Sequence, residues 1–103
     1  MPLAFLPLSP AELREFASSG VLPGKRAARF AGNGGEEEEH TALLAAAQMG
    51  AGEGRPVTAV ISLAEADGSA VANPRYPDVI SLFAPAGDGE LLWYGPGEWE
   101  ELA

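Results

Sequence analysis

The clearest alternation in the chain runs through residues 57–64. With a period of two, Val57, Ala59, Ile61 and Leu63 share one face, while Thr58, Val60, Ser62 and Ala64 share the other. One face is bulky and apolar, the other small or weakly polar. This pattern predicts a central strand with a helix over its bulky side. Burial of Val57, Ile61 and Leu63 there would contribute about 1.5–3 kcal/mol each.

The flanking pattern supplies the other elements. Residues 3–8 read as a short first strand confined by Pro2 and Pro7, since proline cannot donate to a ladder. Ser9-Pro10-Ala11-Glu12 then signals a helix start: an N-cap serine, a proline at the first helical position, and an acid able to reach back as a capping box. Leu13, Phe16 and Ala17 form its apolar side, and Ser19-Gly20 ends it. Residues 21–24 read as a turn. Residues 25–31 alternate imperfectly, with Arg26, Ala28 and Phe30 on one face. They predict a strand at or near an edge, where charged residues discourage further pairing.

The best helix spans residues 36–49. Four glutamates fill its first turn, where the positive end of the helix dipole stabilises anions, and Ala and Leu follow. Leu43, Ala46 and Ala47 give it an apolar face suited to the central strand, and the Gly-rich segment 50–54 ends it. Residues 65–68 read as a turn, 69–72 as a short edge strand, and 73–77 as a rigid link. Residues 78–84 predict a strong strand with Ile80, Leu82 and Ala84 on one face and Val79, Ser81 and Phe83 on the other. A five-residue connection separates it from a last strand at 90–94, as in an antiparallel hairpin. A helical turn at 98–102 ends the chain. The predicted class is α+β with an α/β-like start: one domain over residues 1–103, with a single mixed sheet of about five strands and two helices mainly on one face.

Composition narrows the chemistry. The 103 residues suit one core, and 47% hydrophobic content is too high for a disordered chain. Absence of cysteine excludes disulfides, thiolate catalysis and Cys-based zinc sites. The net charge of −9 is uneven. Residues 1–34 hold four basic and two acidic side chains, and residues 35–103 hold two basic and thirteen acidic ones. Such a surface disfavours nucleic acid and anionic membranes and favours a basic protein partner. Two prolines and no basic leader make residues 1–8 a poor signal peptide, and no apolar run approaches membrane-spanning length. A soluble, cytoplasmic protein is expected.

The start Phe5-Leu6-Pro7-Leu8-Ser9, the acidic Glu36-Glu37-Glu38-Glu39 opening an Ala/Leu helix, the strand at 57–64, and the ending Leu91-Leu92-Trp93-Tyr94 with its acidic Glu100-Glu101-Leu102 tail carry a resemblance. The chain resembles a small family of uncharacterised actinobacterial domains. The resemblance covers nearly the whole chain and implies no activity.

Few residue sets suggest chemistry. Glu37 and His40 have the spacing of a carboxylate–imidazole pair, but His40 is the only histidine and no second pair exists. The glycine-rich 32–35 segment precedes a helix as phosphate loops do, yet four glutamates stand where a phosphate would bind and no Lys-Ser/Thr follows. No nucleophile elbow is present. Neither catalytic residue, metal nor cofactor is expected. The leading expectation is a non-enzymatic interaction module using Glu36, Glu37, Glu38, Glu39, Trp93, Tyr94 and Trp99, because exposed aromatics concentrate binding energy. The alternative is a small enzyme or anion-binding domain in which Arg26, Arg29, Arg75 and Tyr76 converge. If residues 25–31 or 90–94 form an edge, pairing with a second copy as a homodimer is a further possibility.

Overall fold

The computed structural model describes residues 2–31, 35–63 and 70–103. The first strand, β1 (Leu3–Leu8), leads directly into α1 (Pro10–Ser19). The cap is the one the sequence predicts. Ser9 Oγ accepts the Glu12 N–H at 3.1 Å, and Glu12 Oε1 accepts the Ser9 N–H at 2.9 Å. Gly20 closes the helix at φ 86°, a conformation that favours glycine, and its N–H donates to the Phe16 carbonyl. Replacing Ser9 by Ala removes one of the two reciprocal bonds. Urea denaturation of Ser9→Ala is expected to show a loss of about 1 kcal/mol.

Residues 25–31 form two strands, where the alternation predicted one. β2 (Lys25–Ala27) and β3 (Arg29–Ala31) are separated at Ala28, which is buried. The break lets the chain change partners. β2 pairs with β5 (Ala70–Ala72) in a separate two-stranded ribbon, and β3 pairs with β1. The short strand expected at 69–72 thus belongs to the ribbon, and β3 is an edge, as its arginine suggested.

The second helix, α2 (Glu36–Ala51), is followed by β4 (Val57–Ser62), β6 (Val79–Pro85) and β7 (Leu91–Tyr94). Short 3-10 turns occupy Tyr76–Asp78 and Pro96–Glu101. The main sheet has five strands in the order β3-β1-β4-β6-β7. The class is α+β. Every pairing is antiparallel, including the β6–β7 hairpin, whereas a mixed sheet was expected. β1 is interior despite Pro7: its pairing with β3 extends only from Leu3 to Phe5, so at the proline β1 is paired with β4 alone.

β4 is the buried central strand. Val57, Ala59 and Ile61 are at most 2% exposed, and Thr58 and Val60 on the other face are buried as well. The helices divide between these faces, where the pattern placed both mainly on one. Val57, Ala59 and Ile61 join Ala4, Leu6 and Leu8 of β1 under Leu13 and Phe16 of α1. Val60 joins Phe5 and Ala31 under Ala42, Leu43 and Ala46 of α2. Size explains the exchange. The small α2 residues fit over a face already filled by Phe5, and Phe16 fills the space above the other. Leu63 lies past the end of β4, half-buried against the α1-side core. The predicted roles of Ala64, of the segments 32–34 and 65–68, and of Ser69 lie outside the described residues.

A bulge corrects the face assignment of β6. Val60 stands opposite Ser81 and Ile61 opposite Val79, so Ile80 is the extra residue. Val79 therefore joins Leu82 in the α1-side core, and Ile80 is 49% exposed.

Candidate functional site

The arrangement of α2 leaves part of one sheet face open. Its contacts fall mainly on β1, β3 and β4. Beyond them, β6 and β7 present Phe83 opposite Trp93 and Pro85 opposite Leu91 on the α2 face. Trp93 is 62% exposed, high for the largest apolar side chain. The strand geometry accounts for this. Tyr94 and Trp93 point to opposite faces, and Tyr94 packs against the α1-side core while Trp93 faces the open half.

Two grooves run between α2 and this open half. The first has a volume of about 290 Å³. Phe5, Leu43, Ile80, Phe83 and Trp93 supply its apolar walls, and Ser81, Glu36, Glu39 and His40 supply its polar groups. The second, about 250 Å³, lies toward the other end of α2 among Leu44, Ala47, Ala51, Pro56, Pro85 and Leu91. Aromatic faces beside carboxylates attract cations, through the ring quadrupole and through direct charge. The chain as a whole has the same sign, with a net charge of −9.

The interaction residues expected from sequence are partly gathered here. Glu36, Glu39 and Trp93 line one groove, together with the exposed His40. Glu37 and Glu38 share that helical turn but are not part of the lining. Tyr94 and Trp99 pack against the opposite, α1-side core. Phe83, Ile80 and Phe5 were not anticipated as site residues. Phe83 had a legible signal, because it shares a strand face with Ser81. Ile80 had none, because its exposure follows from the bulge.

Arg26, Arg29, Arg75 and Tyr76 are not brought together. Arg29 stands opposite Phe5 on the α2 face. Tyr76 is on the other side, its ring edge-on to Phe16 at 5.1 Å and its hydroxyl donating to the Pro96 carbonyl at 2.5 Å. Burial pushes the Tyr76 phenol above its ordinary range. Arg75 is exposed where the chain bridges to Val21. Arg26 meets Glu12 instead.

That last contact belongs to a three-part clamp. Glu12 accepts from Arg26 Nη1 at 2.5 Å and from Arg55 Nε at 2.9 Å, and Arg55 Nη1 also reaches Glu53 at 3.3 Å. Desolvation pushes the Glu12 carboxyl up. The Ser9 N–H and the two guanidinium groups outweigh it and hold the pKa at about 2. Lys25, Arg26, Arg55 and Glu53 line a small polar cavity of about 120 Å³ beside the clamp. Its arginines are already committed to carboxylates, so the arrangement ties the start of α1 to β2 and to the α2–β4 loop.

Among the described residues, no group of three or more His, Asp or Glu side chains is placed to hold a metal, and no helix is long and apolar enough to cross a membrane. Comparison with protein-family models, curated proteins and solved structures gives no match, so the actinobacterial resemblance gains no support from it.

Proposed function

We propose that the protein is a non-enzymatic interaction module that takes a basic segment of a partner protein in the groove between α2 and the open half of the sheet. The observation carrying this reading is Trp93, 62% exposed in the same groove as Glu36 and Glu39. A large aromatic left in water at a concave, acidic surface has the composition of a binding hot spot for a cation. Arginine fits it well, since the guanidinium stacks on an indole while its N–H groups reach carboxylates.

Calorimetric titration with a short arginine-rich peptide tests this. Binding is expected, weakening as salt rises, with citrulline-substituted peptide failing to bind. Trp93→Ala should weaken it by about 2 kcal/mol, or some thirtyfold, without lowering stability, because Trp93 leaves little core behind. Equal affinity of Trp93→Ala and the parent protein would remove the groove as the binding surface.

A further inference from the structure

We infer that the basic segment binds as an added strand on the free edge of β7, antiparallel to it, with an arginine or lysine beside Trp93 and an apolar residue two positions later beside Leu91. This rests on the reading of the groove given above, and it specifies the conformation and pattern of what enters.

The two edges of the main sheet differ. β3 has three residues and carries the exposed Arg29. Shortness and charge are ordinary protections against strand pairing. β7 is Leu91-Leu92-Trp93-Tyr94, with no charge and no proline, and it ends the sheet with no partner on its outer side among the described residues. Leu92 and Trp93 are 45% and 62% exposed. An apolar, unprotected edge of this kind is a template for another strand, and its alternate outward amides and carbonyls would supply the main-chain bonds.

The grooves set the side-chain pattern. On the α2 face, β7 contributes Trp93 to the acidic groove and Leu91 to the apolar one. An added strand would place successive same-face side chains roughly 7 Å apart, one at each groove. Glu36 and Glu39 select a cation at the first, and Leu44, Ala47 and Pro85 select an apolar side chain at the second. Every pairing already in the sheet is antiparallel. Continuing that pattern puts the basic residue first in the partner's sequence.

Charge argues against a second copy at this edge. Asp88 and Glu90 precede β7 and Glu98 follows it. A symmetric β7–β7 pair would bring the acidic ends of two strands together, where like charges destabilise. A basic segment faces the opposite balance.

The experiment uses the intact protein and three capped peptides in a threonine background. One has arginine followed two positions later by leucine, one has arginine and leucine adjacent, and one repeats the first with its β7-facing backbone nitrogens methylated. Binding is measured by calorimetry and amide exchange of β7 by NMR. The first peptide should bind and slow exchange of the outward β7 amides at least about tenfold, the adjacent arrangement should bind about tenfold more weakly because a one-residue slip sends one side chain to the wrong face, and the methylated peptide should not bind. Binding of all three peptides with unchanged β7 exchange overturns strand addition and leaves the groove reading intact. Failure of every arginine peptide to bind overturns both. A free protein that is dimeric with β7 amides already protected assigns the edge to a second copy and overturns the inference.

Discussion

Glu12→Gln is expected to lower stability by about 2–3 kcal/mol at pH 7 and to flatten its dependence on acid. The substitution keeps the shape of the side chain and an oxygen for the Ser9 N–H. It removes the charge that Arg26 and Arg55 share, and Arg26, whose side chain is 22% exposed, would be left partly buried without its counter-ion. The pH dependence has a definite sign. The folded pKa is depressed to about 2 from an ordinary 4.5, so the contribution is fully present above the ordinary value and is lost as pH falls from about 5 toward 2. Over that window it amounts to about 2 kcal/mol, allowing for the solvent screening of Arg55. Urea midpoints at a series of pH values in both proteins provide the measurement. Parallel pH curves for the parent and Glu12→Gln would show that the clamp does not couple to folding.

Gly50→Ala is expected to lower the melting temperature by about 10 °C, corresponding to a loss of about 2 kcal/mol. Helix propensity alone predicts the opposite sign, since alanine in place of a helical glycine ordinarily stabilises by about 1 kcal/mol. The position decides. Gly50 is in the last turn of α2, buried, and its carbonyl accepts the Arg55 N–H at 2.8 Å and the Glu53 N–H at 3.0 Å. A Cβ there would collide with the backbone carbonyl of Arg55 and lie 2.9 Å from Cβ of Pro7. The first neighbour is main chain held by that bond, and the second is fixed in β1, so no rotamer change makes room. Thermal unfolding by circular dichroism decides the sign. A melting temperature equal to or above that of the parent would mean that the helix end can move away from β1 without loss.

Local chemistry was legible wherever neighbours in sequence satisfy one another. The Ser9–Glu12 capping box, the proline at the first turn of α1, the extent of α2 to within a few residues and the β6–β7 hairpin all follow from short-range rules. The opposite exposure of Trp93 and Tyr94 follows from the period of a strand. Choices among partners were less legible. Nothing local marks Ala28 as the point where residues 25–31 change sheets, and nothing in the alternation of residues 78–84 shows that Ile80 is skipped by its neighbour. Both depend on which strand lies alongside. The proposed site divides the same way. The acidic turn and the terminal aromatics could be picked out as unusual residues, while the meeting of Glu36, Glu39 and Trp93 in one groove, without Tyr94 and Trp99, depends on α2 crossing the Phe5 face of the sheet.

Sequence alone determined most of the segments that become helix or strand, that an interior strand begins at Val57, and that the chain is acidic, because these depend on periodicity, caps and charge along the chain. The tertiary structure decided which helix covers which face, how the strands are ordered, and that β7 remains an open edge beside Glu36 and Glu39. Those outcomes turn on fitting volumes across the sheet, Phe16 on one side and the small α2 residues over Phe5 on the other, and such fits exist only once distant segments are in contact.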